Sequence, residues 1–282
     1  MTLTGPKALV ITAPGINCDS ELCAAFHAAG AQPQSELLQR LMRTPSLVDQ
    51  FDLIGLPGGF SFGDDIAAGR IMGALMARSM YPALREAVLR GVPMICPCNG
   101  FQIAVQAGLL PGPSGGGEQW PELAAPASVA LAPNASARFA DCWTKIEVPR
   151  DTVCIWTKDL RIDAPDDVLP SAHGEGRFVA SPHVVERLEA GGQIAIRYAS
   201  SDNFNGSTGA IAGVCDPSGL IFGLMPHPER YTRWTQHPQW TRIDAGVRTH
   251  DPLGLRIFRN AVRWVRGDRR GAHFEELGAS AL

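Results

Sequence analysis

The stretch "VPMICPCNGFQ", residues 92–102, sets two cysteines either side of a proline and follows them at once with Asn-Gly. Residues 92–97 form a continuous apolar run of strand length. "NGFQIAVQAG" then reads as a helix ending at Gly108, so Cys98 falls where strand gives way to helix. A strand–turn–helix elbow of this kind lifts a side chain to the edge of a parallel sheet, and Gly100 lets the first helical turn pass close by. The positive end of a helix favours a thiolate, which is the nucleophilic form of cysteine. Cys96 lies one pleat deeper on the same side and reads as a small buried hydrophobe. Three rival readings remain open from this segment alone, the plainest being that both cysteines are simply core residues. A redox pair normally has two intervening residues, and a metal site needs a second Cys/His pair that the chain does not offer nearby.

Working outward, the same pattern recurs. "KALVITA" (7–13) is a strand stopped by Pro14-Gly15, and "SELCAAFHAAG" (20–30) a helix with Asp19 or Ser20 as N-cap and Gly30 closing it. "FDLIGL" (51–56) is another buried strand. Residues 65–90 carry a long helical pattern with a break near Met80-Tyr81-Pro82. Strands apolar throughout and alternating with helices predict a mostly parallel central sheet covered by helices on both faces. After a Pro/Gly/Ser-rich stretch at 111–121, expected to be a mobile surface loop, the texture changes. "SVALAP", "CWTKIEV", "TVCIWT", "RFVAS", "QIAIRYA", "TGAIAGVC" and "LIFGLM" read as short strands with few helices between, a smaller β-rich part. Asp251-Pro252 opens a last helix, as N-cap and first helical residue. Its apolar face is Leu253, Ile257, Phe258, Ala261, Val262 and Val265, and Arg256, Arg259, Arg263 and Arg266 form a face expected to be solvated. One domain over 1–266, with a tail at 267–282, is the expected organisation.

The 282 residues are 45% hydrophobic and 19% charged, with a formal net charge of −3. With no Lys/Arg run, a nucleic-acid or anionic-membrane partner is not expected. The N-terminal apolar run is about seven residues, too short for a signal peptide, and no stretch reaches the ~18 apolar residues of a membrane span. The expectation is a cytoplasmic protein whose seven cysteines are reduced thiols. Cys18, Cys23, Cys142, Cys154 and Cys215 read as structural.

A cysteine nucleophile acting on an amide needs a base, a group to orient that base, and an oxyanion hole. "GLMPHPERY" (223–231) offers His227 and Glu229 two apart between stiffening prolines, and an extended pair at that spacing faces one way. "LPGGFSFGDD" (56–65) supplies a glycine pair directly after a buried strand, where backbone can approach a substrate.

Together, "APGINCDSE", "LPGGFSFGDD", "CNGFQ" and "MPHPER" resemble the glutaminase subunit family of phosphoribosylformylglycinamidine synthase, which are class I glutamine amidotransferases. "SARFADCW" (136–143), "SAHGEGRF" (171–178) and "NFNGSTGAIAGV" (203–214) are family-like as well, and all occur in the family's order. The resemblance implies a flavodoxin-like fold and a Cys98–His227–Glu229 triad. It also implies an oxyanion hole from the backbone of Gly59 and Asn99, and glutamine contacts from Gly58, Gln102, His173 and Glu175. It implies no metal and no cofactor in this chain. A separate synthetase subunit, carrying ATP and Mg, would use the released ammonia to convert formylglycinamide ribonucleotide to its amidine, with a small third subunit in the assembly. In keeping with this, no phosphate-cradling G-x-x-x-x-G-K-[ST] occurs. Two departures stand out: Cys96-Pro97 replaces the family's usual residues before the nucleophile, and extra length falls at 112–121, 157–170 and 232–250. The rival functions are another cysteine hydrolase on a related sheet and a catalytically silent docking subunit.

Overall fold

The structure is a computed structural model that describes residues 5–113 and 119–267. In chain order its helices are α1 (Asp19–Ala28), α2 (Leu38–Arg43), α3 (Arg70–Ser79), α4 (Tyr81–Leu89), α5 (Asn99–Gln106), α6 (Pro182–Ala190) and α7 (Leu253–Val265). The first four strands are β1 (Lys7–Thr12), β2 (Gln32–Leu37), β3 (Leu53–Gly55) and β4 (Met94–Pro97). The rest are β5 (Ala130–Pro133), β6 (Ala140–Glu147), β7 (Val168–His173), β8 (Glu175–Val179), β9 (Ile194–Tyr198), β10 (Ile211–Cys215) and β11 (Ile221–Leu224).

Nine strands make one sheet in the order β2-β1-β3-β4-β11-β10-β9-β6-β7. The first five run parallel, in the strand order of a flavodoxin-like sheet, as expected. The far half is antiparallel, so most of the β-rich part continues the central sheet rather than standing apart from it. A separate antiparallel two-stranded ribbon is formed by β5 with β8. Val10, Ile54, Ile95 and Phe222 in the parallel half are fully buried, which is why these strands read as unbroken apolar runs.

Several expectations need correction. "TVCIWT" (152–157) is irregular chain running into turns, not a strand. Its apolarity reports burial: Cys154 and Trp156 are fully enclosed, and the indole N–H donates to the Leu220 carbonyl at 2.9 Å. β2 and β7 were not expected. α6 also lies inside the β-rich half, its N-cap Ser181 accepting from the Val184 N–H and Pro182 filling the first helical position. The 65–90 pattern is two helices that begin only at Arg70 and break at Met80, as the proline placement suggests.

α7 starts one residue later than expected, with Pro252 at the N-cap, while Asp251 pairs with Arg259 at 2.8 Å. Leu253, Ile257 and Phe258 are fully buried, each stabilising the fold by roughly 2 kcal/mol. Phe258 packs edge-on against Phe26 of α1 at 5.3 Å. The arginine face is not simply solvated. Arg256 is bound to buried Asp166, and Arg266 donates to the Gly30 carbonyl at 3.0 Å. The 232–250 insertion is a series of single 3-10 turns. It folds back onto the sheet through His237, which packs on Trp143 and Tyr231. Residues 114–118 of the 111–121 loop and 268–282 of the tail lie outside the described residues. The loop's near flank is anchored to α4, where the Trp120 carbonyl accepts from Arg85 Nε at 3.0 Å. Among the described residues, no helix is long and apolar enough to cross a membrane.

Candidate active site

Cys98 occupies the elbow between β4 and α5 with φ 51° and ψ −109°, a conformation that costs a non-glycine residue on the order of 1–3 kcal/mol. The surroundings over-determine it. Its N–H donates to the Leu224 carbonyl at 2.7 Å, and its carbonyl accepts from the Phe101 and Gln102 N–H groups at 2.9 and 3.2 Å. Gly100 is required: a Cβ there would stand 1.9 Å from the Leu56 carbonyl oxygen, so only glycine lets α5 cross the end of β3. Cys96 pairs in register with Gly223 of β11 and is wholly buried, and burial pushes its thiol far above the ordinary range. Cys96 and Cys98 are both free thiols. The segment is thus one inert core cysteine and one cysteine at the sheet edge.

His227 and Glu229 follow β11. They are not an extended pair, as the spacing suggested. Pro228 starts a 3-10 turn, which fits its fixed φ, and the turn brings the carboxylate back beneath the ring. Glu229 Oε1 lies 2.6 Å from His227 Nδ1, and both side chains are buried. Burial works against charge on this imidazole. The Glu229 charge and then the Cys98 charge outweigh it, holding the imidazolium up to about 10. The position that a Cβ would take on Gly58 lies 2.9 Å from His227 Cε1 and 3.5 Å from Cys98 Cβ. The His227 ring and the Cys98 side chain therefore converge on one point, and the absence of a side chain at Gly58 leaves room for them to do so. Cys98 Sγ itself is turned toward the Ala172 carbonyl, at 3.7 Å.

The cleft above this point measures about 220 Å³, the scale of a small ligand. Cys98, Gly59, Gln102, His173, Glu175 and His227 all line it, so sequence positions far apart meet at the carboxyl ends of the parallel strands. Glu229 lies behind His227. Gly58 and Asn99 are not on the wall, although the Asn99 N–H, opening α5, has no partner within the helix. Gln102 touches the cleft with its amide already engaged. Asn99 Nδ2 donates to its Oε1 at 2.9 Å, and its Nε2 donates to the Glu175 carbonyl, so Gln102 braces the wall. His173 is held by Asn134, whose Nδ2 donates to the Arg138 and His173 carbonyls. That orientation leaves Asn134 Oδ1 to accept from His173 Nδ1, at 3.0 Å. Burial, followed by the charge of His227, drives this imidazole down to about 4, so it is neutral with Nε2 as an acceptor.

Sequence reasoning missed Cys18, Asp64 and Arg230 on the same cleft. Each lies inside a motif already singled out, yet only the fold shows that the segments after β1, β3 and β11 face one another. Cys18, read from sequence as structural, is buried beside His227 and Glu229 and lines the cleft. Arg230 Nη2 donates to its sulfur at 3.0 Å, and Cys18 Sγ, a His227 ring nitrogen and a Glu229 oxygen all lie within 4.8 Å of one another.

Comparison with known proteins agrees with this architecture. Residues 5–265 match the CobB/CobQ-like glutamine amidotransferase domain family. Phosphoribosylformylglycinamidine synthase subunit PurQ of Dehalococcoides mccartyi is 36% identical over 270 residues, covering 92% of this chain and 98% of that protein. The same-named subunit of Frankia casuarinae is 38% identical over 223 residues, covering 78% and 82%. A chain in the structure of PurLQS from Thermotoga maritima superposes with a TM-score of 0.67 at 30% identity, covering 93% of this chain and 99% of that one. The chain belongs to the CobB/CobQ-like glutamine amidotransferase domain family and, within it, to the PurQ group.

Proposed function

We propose that this chain hydrolyses L-glutamine to glutamate and ammonia, and that it supplies the ammonia to an ATP-dependent synthetase subunit of phosphoribosylformylglycinamidine synthase. The observation that carries the reading is the convergence of Cys98 with the Glu229-bound imidazole of His227 at the floor of a small cleft.

Glutamine enters with its side-chain amide against the elbow. Cys98 Sγ attacks the carbonyl carbon, and the new oxyanion is met by the N–H groups of Gly59 and Asn99, each donor worth on the order of 3 kcal/mol. His227 gives its proton to the departing nitrogen and ammonia leaves, with a γ-glutamyl thioester remaining on Cys98. Neutral His227 then takes a proton from water, whose oxygen attacks the thioester and frees glutamate. Glu229 keeps the ring oriented and offsets its positive charge. His173, Glu175 and Gln102 form the wall along which the amino-acid end of the substrate lies.

The partner reading rests on the named relatives and on the cleft's mouth, where Phe60 and Phe139 are 48% and 57% exposed. Apolar rings standing at a catalytic opening are what a partner surface covers. ATP and Mg belong to the synthetase, and a small third subunit completes the assembly. The test is glutamate release by the purified chain with and without its synthetase. Slow hydrolysis alone, raised by the partner and abolished by Cys98→Ala, is expected. An equally high rate with and without the partner contradicts the ammonia-supply reading.

A further inference from the structure

Cys18 has no step in the chemistry above, although it is 1% exposed and lies against the catalytic pair. Its sulfur, a ring nitrogen of His227 and an oxygen of Glu229 are mutually within 4.8 Å, and all three residues are more than nine-tenths buried. His227 and Glu229 each also carry an atom, Nε2 and Oε2, that is buried with no hydrogen-bond partner among the described residues. Leaving such atoms unpaired is costly, and it favours any ligand that can satisfy them.

A thiolate, an imidazole and a carboxylate make a mixed sulfur, nitrogen and oxygen donor set. That set suits zinc and its chemical neighbours, not magnesium or calcium. Tetrahedral zinc, with bonds of about 2.0 Å to nitrogen or oxygen and 2.3 Å to sulfur, places neighbouring donors about 3.5 Å apart. The cluster is therefore at most about an ångström too open at its widest, while His227 Nδ1 and Glu229 Oε1, at 2.6 Å, must part by about as much to admit the ion, adjustments that side-chain torsions supply.

We propose that Cys18, His227 and Glu229 form a site for a zinc-class divalent cation, and that its occupation shuts off the catalytic pair. On binding, the Cys18 thiol and the His227 imidazolium each lose a proton to solvent, and the sulfur and a neutral ring nitrogen become ligands. The guanidinium of Arg230 then gives up its hydrogen bond to that sulfur and turns toward the cleft it lines. Thiolate and carboxylate bring two negative charges against the single positive charge of Arg230, so the cation enters a net-negative donor set. The fourth position is left for water, because Cys98 Sγ is directed at the Ala172 carbonyl. A ring held on the metal neither takes nor returns a proton at Cys98. This shut-off rests on the proposed glutaminase activity; the binding does not.

The test uses the full chain under reducing conditions, with zinc measured by competition against a chromophoric chelator and cobalt(II) as the spectroscopic probe. One zinc per chain is expected, with a thiolate-to-cobalt charge-transfer band. Cys18→Ser, and Cys18→Ala as a second variant, should remove the band. Both should weaken zinc by at least about 10-fold, the lower end of what even an outer-shell change costs. Thermal melts establish that each variant is folded. Cys98→Ala should keep both band and affinity. Cys18 variants that bind as tightly as wild type, or a band that disappears with Cys98→Ala, overturn the site. In the glutaminase assay, zinc should inhibit reversibly on chelation. The inhibition constant of Cys18→Ser, against its own metal-free rate, should rise by the same factor as its binding constant. Zinc that binds without slowing hydrolysis overturns the shut-off. A chain that hydrolyses no glutamine in the absence of metal overturns the proposed function and leaves the site standing.

Discussion

Replacing Glu229 by glutamine removes one charge and almost no volume from the base of the site. The carboxylate sits 2.6 Å from His227 Nδ1, with both side chains out of solvent, so the glutamine carbonyl can still accept the ring's hydrogen bond. Orientation survives and the charge does not. Holding the imidazolium from its ordinary 6.5 up to about 10 amounts to about 5 kcal/mol, at 1.36 kcal/mol per pH unit. Burial opposes that shift, and Glu229 is the first of the charges that overcome it, ahead of Cys98. A share for Glu229 on the order of 2–3 kcal/mol corresponds to roughly two orders of magnitude in rate. Glu229→Gln should therefore lower kcat for glutamine hydrolysis by about two orders of magnitude with KM little changed, and move the protonation of His227 to lower pH. A stability signature accompanies the rate. A folded-state value above the unfolded one stabilises fully below about 6.5, and that contribution is lost as pH rises toward about 10. Urea midpoints of wild type at pH 6 and pH 9 should thus differ more than those of Glu229→Gln. A variant within threefold of wild type in kcat, with an unchanged pH profile, refutes the role given to this carboxylate.

Three further outcomes follow from other parts of the molecule. Gly100→Ala places a methyl 1.9 Å from the Leu56 carbonyl oxygen, a clash with backbone that no rotamer relieves. It should cost at least about 2 kcal/mol in urea unfolding, along with most of the glutaminase activity. Arg256→Leu leaves Asp166, 2% exposed, without the guanidinium that balances it. A loss of about 3–5 kcal/mol is expected by chemical denaturation, and Asp166→Asn in the same chain should recover part of it. Peptide mapping after brief alkylation of the native protein should find Cys98 modified and Cys96 untouched, since Cys96 is sealed in the sheet and held as a thiol.

The elbow was legible in the sequence because two signals coincide there. An unbroken apolar run needs both sheet faces covered, and Asn-Gly directly after a cysteine opens a helix that only glycine allows so close. β2 offered no such signal. "QPQSEL" is polar and largely exposed, and it is a strand only because β1 supplies a parallel ladder at the sheet's margin. β7 carries Pro170, which argues against a central strand but is tolerated at the opposite edge, where this strand lies. "TVCIWT" shows the reverse error, since apolar residues there fill the space under α7 without pairing. α6 did announce itself through Ser181-Pro182, but the preceding apolar run draws that serine into a strand. In the site, His227 and Glu229 were readable from their spacing and the turn between them was not. Cys18 and Arg230 could be placed only once the topology brought the ends of β1 and β11 together.

The measurement closest to the central claim is mass mapping of the folded protein after reaction with a glutamine-mimicking electrophile, with and without excess glutamine. A single adduct on Cys98, suppressed by glutamine and greatly slowed in His227→Gln, is the predicted result. An adduct on Cys18 or another thiol, or one on Cys98 that is indifferent to both glutamine and His227, contradicts it.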